Sequence, residues 1–318
     1  MTTLQDKNEE FSKTITELNQ KSALSSFDKI LSFEFNDYDL HGDIVQTNNA
    51  IKGLLEGHSY PKCIQNLLAE MQVAVCLMAS KLKFEGEIML QVRGGGKYFK
   101  YAVLNSNERN ETRGLASFDS KIDENTPFNQ LLTRDSIMTI DIMPKVGNPY
   151  KGIIDISKNS LAECLEDYFT QSVQVPTKIW IYSDANNSGR AAGIIIQALP
   201  TKNPTKQKED FEHVSVLTDT TTMAEILSLN NREILYRLYN QESVTLYPDR
   251  EKSVSFKCNC SREHYKEMLS HLNPDELASI LQQDGHITTE CHYCRKTYTF
   301  EHDDVIEIIK EAKKHQHH

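Results

Sequence analysis

The chain has 318 residues, room for about two domains, and 39% of them are hydrophobic while 25% are charged. With only 13 Gly and 9 Pro, it is neither collagen-like nor wholly disordered. Acidic residues outnumber basic ones 45 to 35, and the formal charge of −10 excludes a bulk electrostatic grip on nucleic acid or an anionic membrane.

Residues 1–20 are polar and charged, with no apolar leader segment. The longest apolar run, 73–79, is far short of the ~20 residues that a membrane span needs. A reducing cytoplasm is therefore expected, where clustered cysteines serve metal or redox chemistry more often than structural disulfides. Residues 61–82 place Ile64, Leu67, Leu68, Met71, Val75, Met78 and Leu82 at spacings of three and four, which predicts a core-facing helix with Pro61 in its first turn. Cys63 and Cys76 within it, and Cys164 in a second helical stretch at 160–170, read as small buried hydrophobes rather than ligands. The period then changes: 88–92 and 98–103 flank Gly94, Gly95 and Gly96 as a hairpin. That triplet lacks the lysine and Ser/Thr of a phosphate-cradling loop and leads into a strand. Further strands are expected at 137–143, 153–156, 178–182 and 193–198, with turn signals at Gly147-Asn148-Pro149 and Asn186-Asn187-Ser188-Gly189. These elements define an α+β fold class, with a large N-terminal mixed sheet-and-helix domain over residues 1–200.

Residues 201–212 are polar and contain Pro204, the pattern of a linker or exposed connection. Residues 223–239 carry Met223, Ile226, Leu227, Ile234, Leu235, Leu238 and Tyr239, interrupted by Asn230-Asn231. Two short amphipathic helices fit this pattern; they are too small for a core of their own and must pack on something else. Residues 201–250 thus read as a metastable helical linker, and a boundary near Arg250 opens a small C-terminal module over 251–318.

That module holds the remaining cysteines. Cys258 and Cys260 form a CxC pair, thirty residues intervene, and Cys291 and Cys294 form a CxxC pair. Four thiolates complete a tetrahedral Zn²⁺ shell, and two close pairs joined by a loop are how such sites are usually built. The CxC bite is tighter than usual. Between the pairs, Asn273-Pro274-Asp275-Glu276 starts a helix with its stripe on Leu277, Ile280 and Leu281, and Gly285 ends it. His264 and His292 can replace a thiolate, but four cysteines make neither necessary. Eight of the eleven histidines lie in this tail, and the terminal His315, His317 and His318 read as solvent-exposed or partly an addition to the natural chain.

A permanently closed structural zinc site is the plainer reading of the module. A switch is the richer one, because metal keeps sulfur deprotonated and the thiolate is what oxidants attack. Each pair can close on itself, with strain at Cys258 and Cys260, and a disulfide cannot serve as a ligand, so oxidation must expel the metal. Two other functions are weighed. A nucleic-acid module is disfavoured by eight Lys/Arg against eleven Asp/Glu over 256–318. A thiol–disulfide oxidoreductase is disfavoured because the strand-like 296–300 follows the CxxC, where such enzymes open a helix.

The tail FKCNCSREHYKEMLSHLNPDELASILQQDGHITTECHYC resembles the zinc module of the redox-regulated thirty-three-kilodalton heat-shock chaperonin family of bacteria. Upstream, LLAEMQ, LKFEGEIMLQVRGGG, QSVQVPTKIW and AAGIIIQALP resemble family segments in the expected order. Asn259 departs locally, standing where a small residue is common. The resemblance implies an ATP-independent holdase, not an enzyme, that binds unfolding client proteins under oxidative and heat stress. It implies one Zn²⁺ on Cys258, Cys260, Cys291 and Cys294 in the inactive, reduced form. It further implies activation by disulfides joining Cys258 to Cys260 and Cys291 to Cys294, with unfolding of linker helices around 222–241 and a homodimer when active. No nucleotide, nucleic acid or membrane partner is implied.

Overall fold

The computed structural model describes residues 27–80 and 85–315. The charged segment 1–20, the end of the expected helix at Leu82, and the side chains of His315, His317 and His318 lie outside the described residues. The chain divides into two compact units, one of residues 27–55 and 59–256 and one of residues 56–58 and 257–315.

In the large unit the order is β1 Lys29–Phe35, β2 Leu40–Thr47, α1 Asn49–Leu55, α2 Lys62–Ser80, β3 Gly86–Arg93, β4 Phe99–Asn107 and β5 Glu111–Phe118. There follow α3 Phe128–Leu131, β6 Ile137–Pro144, β7 Tyr150–Ile154, α4 Leu161–Tyr168, β8 Thr177–Asp184 and β9 Arg190–Ala198. The unit closes with α5 Pro204–Asp219, α6 Met223–Ile226, α7 Asn231–Tyr239, β10 Val244–Leu246, β11 Lys252–Ser253 and β12 Ser255–Phe256. One antiparallel sheet runs β10-β1-β2-β9-β8, with β11 also paired to β1; the other runs β12-β5-β4-β3-β6-β7, with only β12 parallel to its neighbour. The glycine triplet does join a hairpin, in which Arg93 faces Tyr101 and the Gly94 N–H donates to the Lys100 carbonyl at 2.8 Å.

The stripe Ile64, Leu67, Leu68, Met71, Val75 and Met78 is buried, but so are Val73, Ala74 and Leu77 on the other sides of α2. The reason is that both sheets close on it, Val45 and Ile195 from one and Ile88, Leu90 and Leu104 from the other. Among the described residues α2 is the one helix long and apolar enough to cross a membrane, and its buried surface makes it the core helix of this unit. Gly193 lets it approach β9: a Cβ there would sit 2.6 Å from Val73 and 2.7 Å from the Trp180 carbonyl. Cys63, Cys76 and Cys164 are buried free thiols, as their spacing on apolar helices implies. Burial pushes the Cys76 thiol up to about 12, so it stays protonated and inert.

The first sheet is apolar on its second face as well. Leu31, Phe33, Phe35, Ile44, Trp180, Ile194 and Ile196 point away from α2 and are covered by Val214, Ile226, Leu227, Ile234, Leu235 and Tyr239 of α5–α7 and their turns. The Tyr239 ring lies 5.7 Å from that of Phe33 and 5.0 Å edge-on to that of Phe35. Polar ties hold the cover down. The Gln46 amide donates to the carbonyls of Ile226 and Leu229, both at 2.6 Å, and Arg190 donates to that of Leu227 at 2.7 Å.

Residues 201–212 depart from the expected open connection: from Pro204 onward they form the first half of α5. Asn203 caps it by accepting the Lys206 N–H at 3.2 Å, with proline at the first turn. Their polarity is that of a helix half still facing water, since the packed residues begin at Phe211 and Val214. Residues 223–239 split into two helices at the asparagines, Asn230 accepting the N–H groups of Arg232 and Glu233 at 3.0 Å each. The large unit continues past Arg250 to Phe256, because β11 pairs with β1 and β12 with β5.

Glu70 on α2 keeps part of its surface, yet dense packing removes water from its carboxyl and pushes it up to about 7. Folding therefore favours its protonated form. Its contribution falls as pH rises from the ordinary carboxyl range near 4.5 through about 7 and stays unfavourable above. Glu70→Gln is expected to raise the melting temperature at pH 8 and to lose that advantage towards pH 4.5; a gain independent of pH contradicts this.

Candidate metal centre

The small unit contains α8 Arg262–Ser270, α9 Pro274–Asp284, β13 Ile287–Glu290, β14 Thr297–Phe300 and α10 His302–His315. Its core is Leu269, Leu277, Leu281, Ile287, Tyr298, Phe300, Val305, Ile308 and Ala312, too few side chains to hold a unit of this size without a staple. The helix between the cysteine pairs starts and stops where its residues dictate. Asn273 accepts the Asp275 N–H at 2.9 Å, Pro274 takes the first turn, and Gly285 closes the end at φ +77°.

Each cysteine pair sits on a rigid element. Cys258 and Cys260 directly precede α8, where the Ser261 hydroxyl caps the helix by accepting the His264 N–H at 3.1 Å. Cys291 and Cys294 form the turn between β13 and β14. The Cys291 N–H donates to the Lys296 carbonyl at 2.9 Å, and the Arg295 N–H donates to the Cys291 carbonyl at 2.8 Å with Arg295 left-handed at φ +58°. An ion pair joins the two halves: Arg262 on α8 reaches Asp304 on α10 at 2.8 Å and donates to the Thr299 carbonyl at 3.1 Å. The Arg262 guanidinium holds the Asp304 carboxyl below the usual carboxylate range.

The four predicted residues come together. The Sγ atoms of Cys258, Cys260, Cys291 and Cys294 all lie within 4.8 Å of one another. Cys258 and Cys291 approach to 3.6 Å and Cys260 and Cys294 to 3.4 Å. A tetrahedron of sulfurs about 2.3 Å from a central ion has edges of about 3.8 Å, so the set fits a four-coordinate metal. The four cysteines could hold a metal ion, while His264 and His292 are exposed and stand outside the cluster. Burial raises the Cys258 thiol. Burial also raises that of Cys291, but the backbone N–H groups of Cys294 and Tyr293, with Tyr265 and Cys258, more than reverse this and bring it down to about 7. Asn259, the local departure, is exposed between its cysteines.

Two sets of neighbours carry no sequence signal of a role here. Residues 56–58 belong to this unit, with His58 Nε2 bonded to the Tyr293 carbonyl at 3.1 Å across 235 positions of sequence. The Tyr298 hydroxyl donates to Cys260 Sγ at 3.2 Å, and the Tyr265 ring packs on that of Tyr298 with centroids 5.2 Å apart. Tyr298 carries the only local hint, as one of the alternating buried residues of β14.

A two-sheet α+β unit followed by a small four-cysteine unit defines a class of protein in which, among the described residues, the one cluster that could hold a metal ion lies in the small unit. The CxxC lies in a hairpin turn, not at a helix start as in thioredoxin-like enzymes. The family model described as Hsp33 protein matches residues 28–301. The 33 kDa chaperonins of Shigella boydii serotype 4 and Escherichia coli strain SMS-3-5 are each 37% identical over 286 residues, 90% of this chain and 96% of theirs. The crystal structure of the 33 kDa chaperonin (heat shock protein 33 homolog) from Thermotoga maritima matches the fold with a TM-score of 0.75, over 90% of this chain and 99% of that one, at 18% identity. The chain belongs to the Hsp33 family, whose members are chaperones and not enzymes.

Titration of the reduced full-length chain with Co²⁺ is expected to give the intense visible absorption of a tetrahedral thiolate site and to saturate at about one ion per chain. Cys291→Ser is expected to abolish that spectrum, and Asn259→Gly to leave it intact. A Cys291→Ser spectrum like that of the parent contradicts the site.

Proposed function

We propose that this chain is a redox-regulated, ATP-independent holdase whose switch is the four-cysteine cluster, and that the cluster holds one Zn²⁺ in the resting state. The observation that carries the reading is the convergence of four sulfurs in a unit with too small a core to stand alone. Four thiolate ligands in tetrahedral reach suit zinc, and bound zinc keeps the sulfurs as thiolates. Structural zinc contributes roughly 10–16 kcal/mol in small finger peptides, against about 5–15 kcal/mol of net stability for a whole domain. A unit built this way unfolds when its sulfurs cease to be ligands.

Peroxide brings that about. In each pair two thiolates surrender two electrons to one hydrogen peroxide and form an S–S bond, while two protons from solvent complete two waters. Four sulfurs thus consume two peroxides, and the metal is lost. Family membership supports disulfides within the pairs, Cys258 to Cys260 and Cys291 to Cys294; the sulfur contacts of 3.6 and 3.4 Å run across the pairs instead. Residues 201–250, which pack on the first sheet within the large unit, act as the metastable segment ahead of the cysteine unit. Helices α6 and α7, of 4 and 9 residues, are too short to persist off the sheet they cover. When they lift, Phe33, Phe35 and Trp180 become an apolar surface for unfolding proteins. The active form is a homodimer, works in the cytoplasm under oxidative and heat stress, and uses no nucleotide, nucleic acid or membrane.

Treating the zinc-loaded chain with hydrogen peroxide and mild heat is expected to release one zinc and consume four thiols per chain. Suppression of light scattering by a thermally unfolding client should appear only then. Zinc retained throughout, or equal suppression by the reduced chain, contradicts the reading. The cover can be tested apart from the metal. Tyr239→Ala removes a fully buried ring at a cost of about 3–5 kcal/mol and is expected to give partial client binding with zinc still bound. A variant as inactive as the reduced parent contradicts the assignment of α5–α7 as the cover.

A further inference from the structure

The four sulfurs are not equivalent. Tyr298, 7% exposed in the core of the small unit, points its hydroxyl at Cys260 and donates to both its Sγ at 3.2 Å and its carbonyl at 3.1 Å. Tyr265 on α8 packs against its ring with centroids 5.2 Å apart. Within the CxC pair, among the described residues, Cys260 alone accepts a tyrosine hydroxyl, and it packs against the core of the unit.

A hydrogen bond to a thiolate draws density from the lone pair that attacks an oxidant, and bonds to sulfur tune metal–thiolate sites generally. We propose that Tyr298 is a positioning residue that shields Cys260, so that peroxide attacks Cys258 first within the CxC pair. This rests on the redox-switch reading and names its order of events. The open thiolate attacks the peroxide O–O bond, becoming a sulfenic acid while hydroxide departs and takes a proton. The shielded thiolate of the same pair then attacks that sulfur, forming the S–S bond and releasing a second hydroxide, which is protonated to water. The shielded sulfur thus acts second, from within the 4.8 Å that spans the four sulfurs of the cluster. Oxidant tolerance becomes a property of one phenol group as well as of four cysteines.

The test uses the full-length zinc-loaded chain, limiting hydrogen peroxide and a cyclic dione that traps sulfenic acids, with the trapped cysteines identified by mass spectrometry. Within the CxC pair the parent is expected to be trapped at Cys258. Tyr298→Phe, which keeps the ring and removes only the hydroxyl, should add Cys260 to the trapped set. The variant should lose thiols about three- to tenfold faster, a fraction of the bond to a charged group. A structural role would not move the second readout: with Co²⁺ in place of zinc, the variant should shift the sulfur-to-metal charge-transfer band to longer wavelength. Parent and variant trapped at the same cysteines, at the same rates and with the same band, overturn the inference while leaving the switch reading intact. A parent that keeps its zinc and thiols under peroxide overturns both.

Discussion

A sheet that is apolar on both faces must be covered on both, and the large unit is organised by that requirement. One face is covered permanently, by α2 running between two sheets with its side chains buried all round. The other is covered by α5–α7, two of which are shorter than an isolated helix needs to persist. Asp219, Gln46 and Arg190 hold these helices through a few polar bonds at their ends. Losing such a cover uncovers aromatic surface without touching the central helix. The fold thereby sets a central helix on one face and a cover of short helices on the other in one unit.

The small unit follows the opposite logic. Its apolar core is sparse, and its architecture converges on four sulfurs whose chemical state decides whether a metal can stay. Between the two units the chain is knitted down before it reaches Cys258. Glu251 pairs with both Lys29 and Arg232 of α7, β11 joins β1, and the Thr112 hydroxyl donates to the Ser255 carbonyl at 3.1 Å. The segment that leads to the cysteines is thus bonded to the covering helix within the large unit. The acidic balance of the chain favours its staying dispersed in solution.

Much of this was legible because it is local. The helical stripe of α2, the hairpin at Gly94–Gly96, the break at Asn230-Asn231 and the cap at Asn273 each depend on residues within a few positions. The CxC and CxxC pairs announced themselves by spacing. What escaped is tertiary. Strand β1 carries a period-two signal in Leu31, Phe33 and Phe35 that the same test detects. Strand β2 hides its nature, because Asp43, Gln46 and Thr47 are buried polar residues; Asp43 is met by Ser32 of the neighbouring strand, and the partners of Gln46 and Thr47, Leu229 and Ala191, lie far along the chain. The first half of α5 looks like a linker because only its later residues meet the sheet. His58, Tyr265 and Tyr298 gain their places at the cluster only once distant segments are folded together.

The central claim is that the metal state of four cysteines controls the cover on the first sheet. Amide hydrogen exchange on the full-length chain, zinc-loaded and reduced against peroxide-treated, tests it most directly. The account expects 257–315 and α6–α7 to lose protection together on oxidation, while α2 keeps its own. Loss confined to 257–315, with α6 and α7 as protected as before, contradicts it.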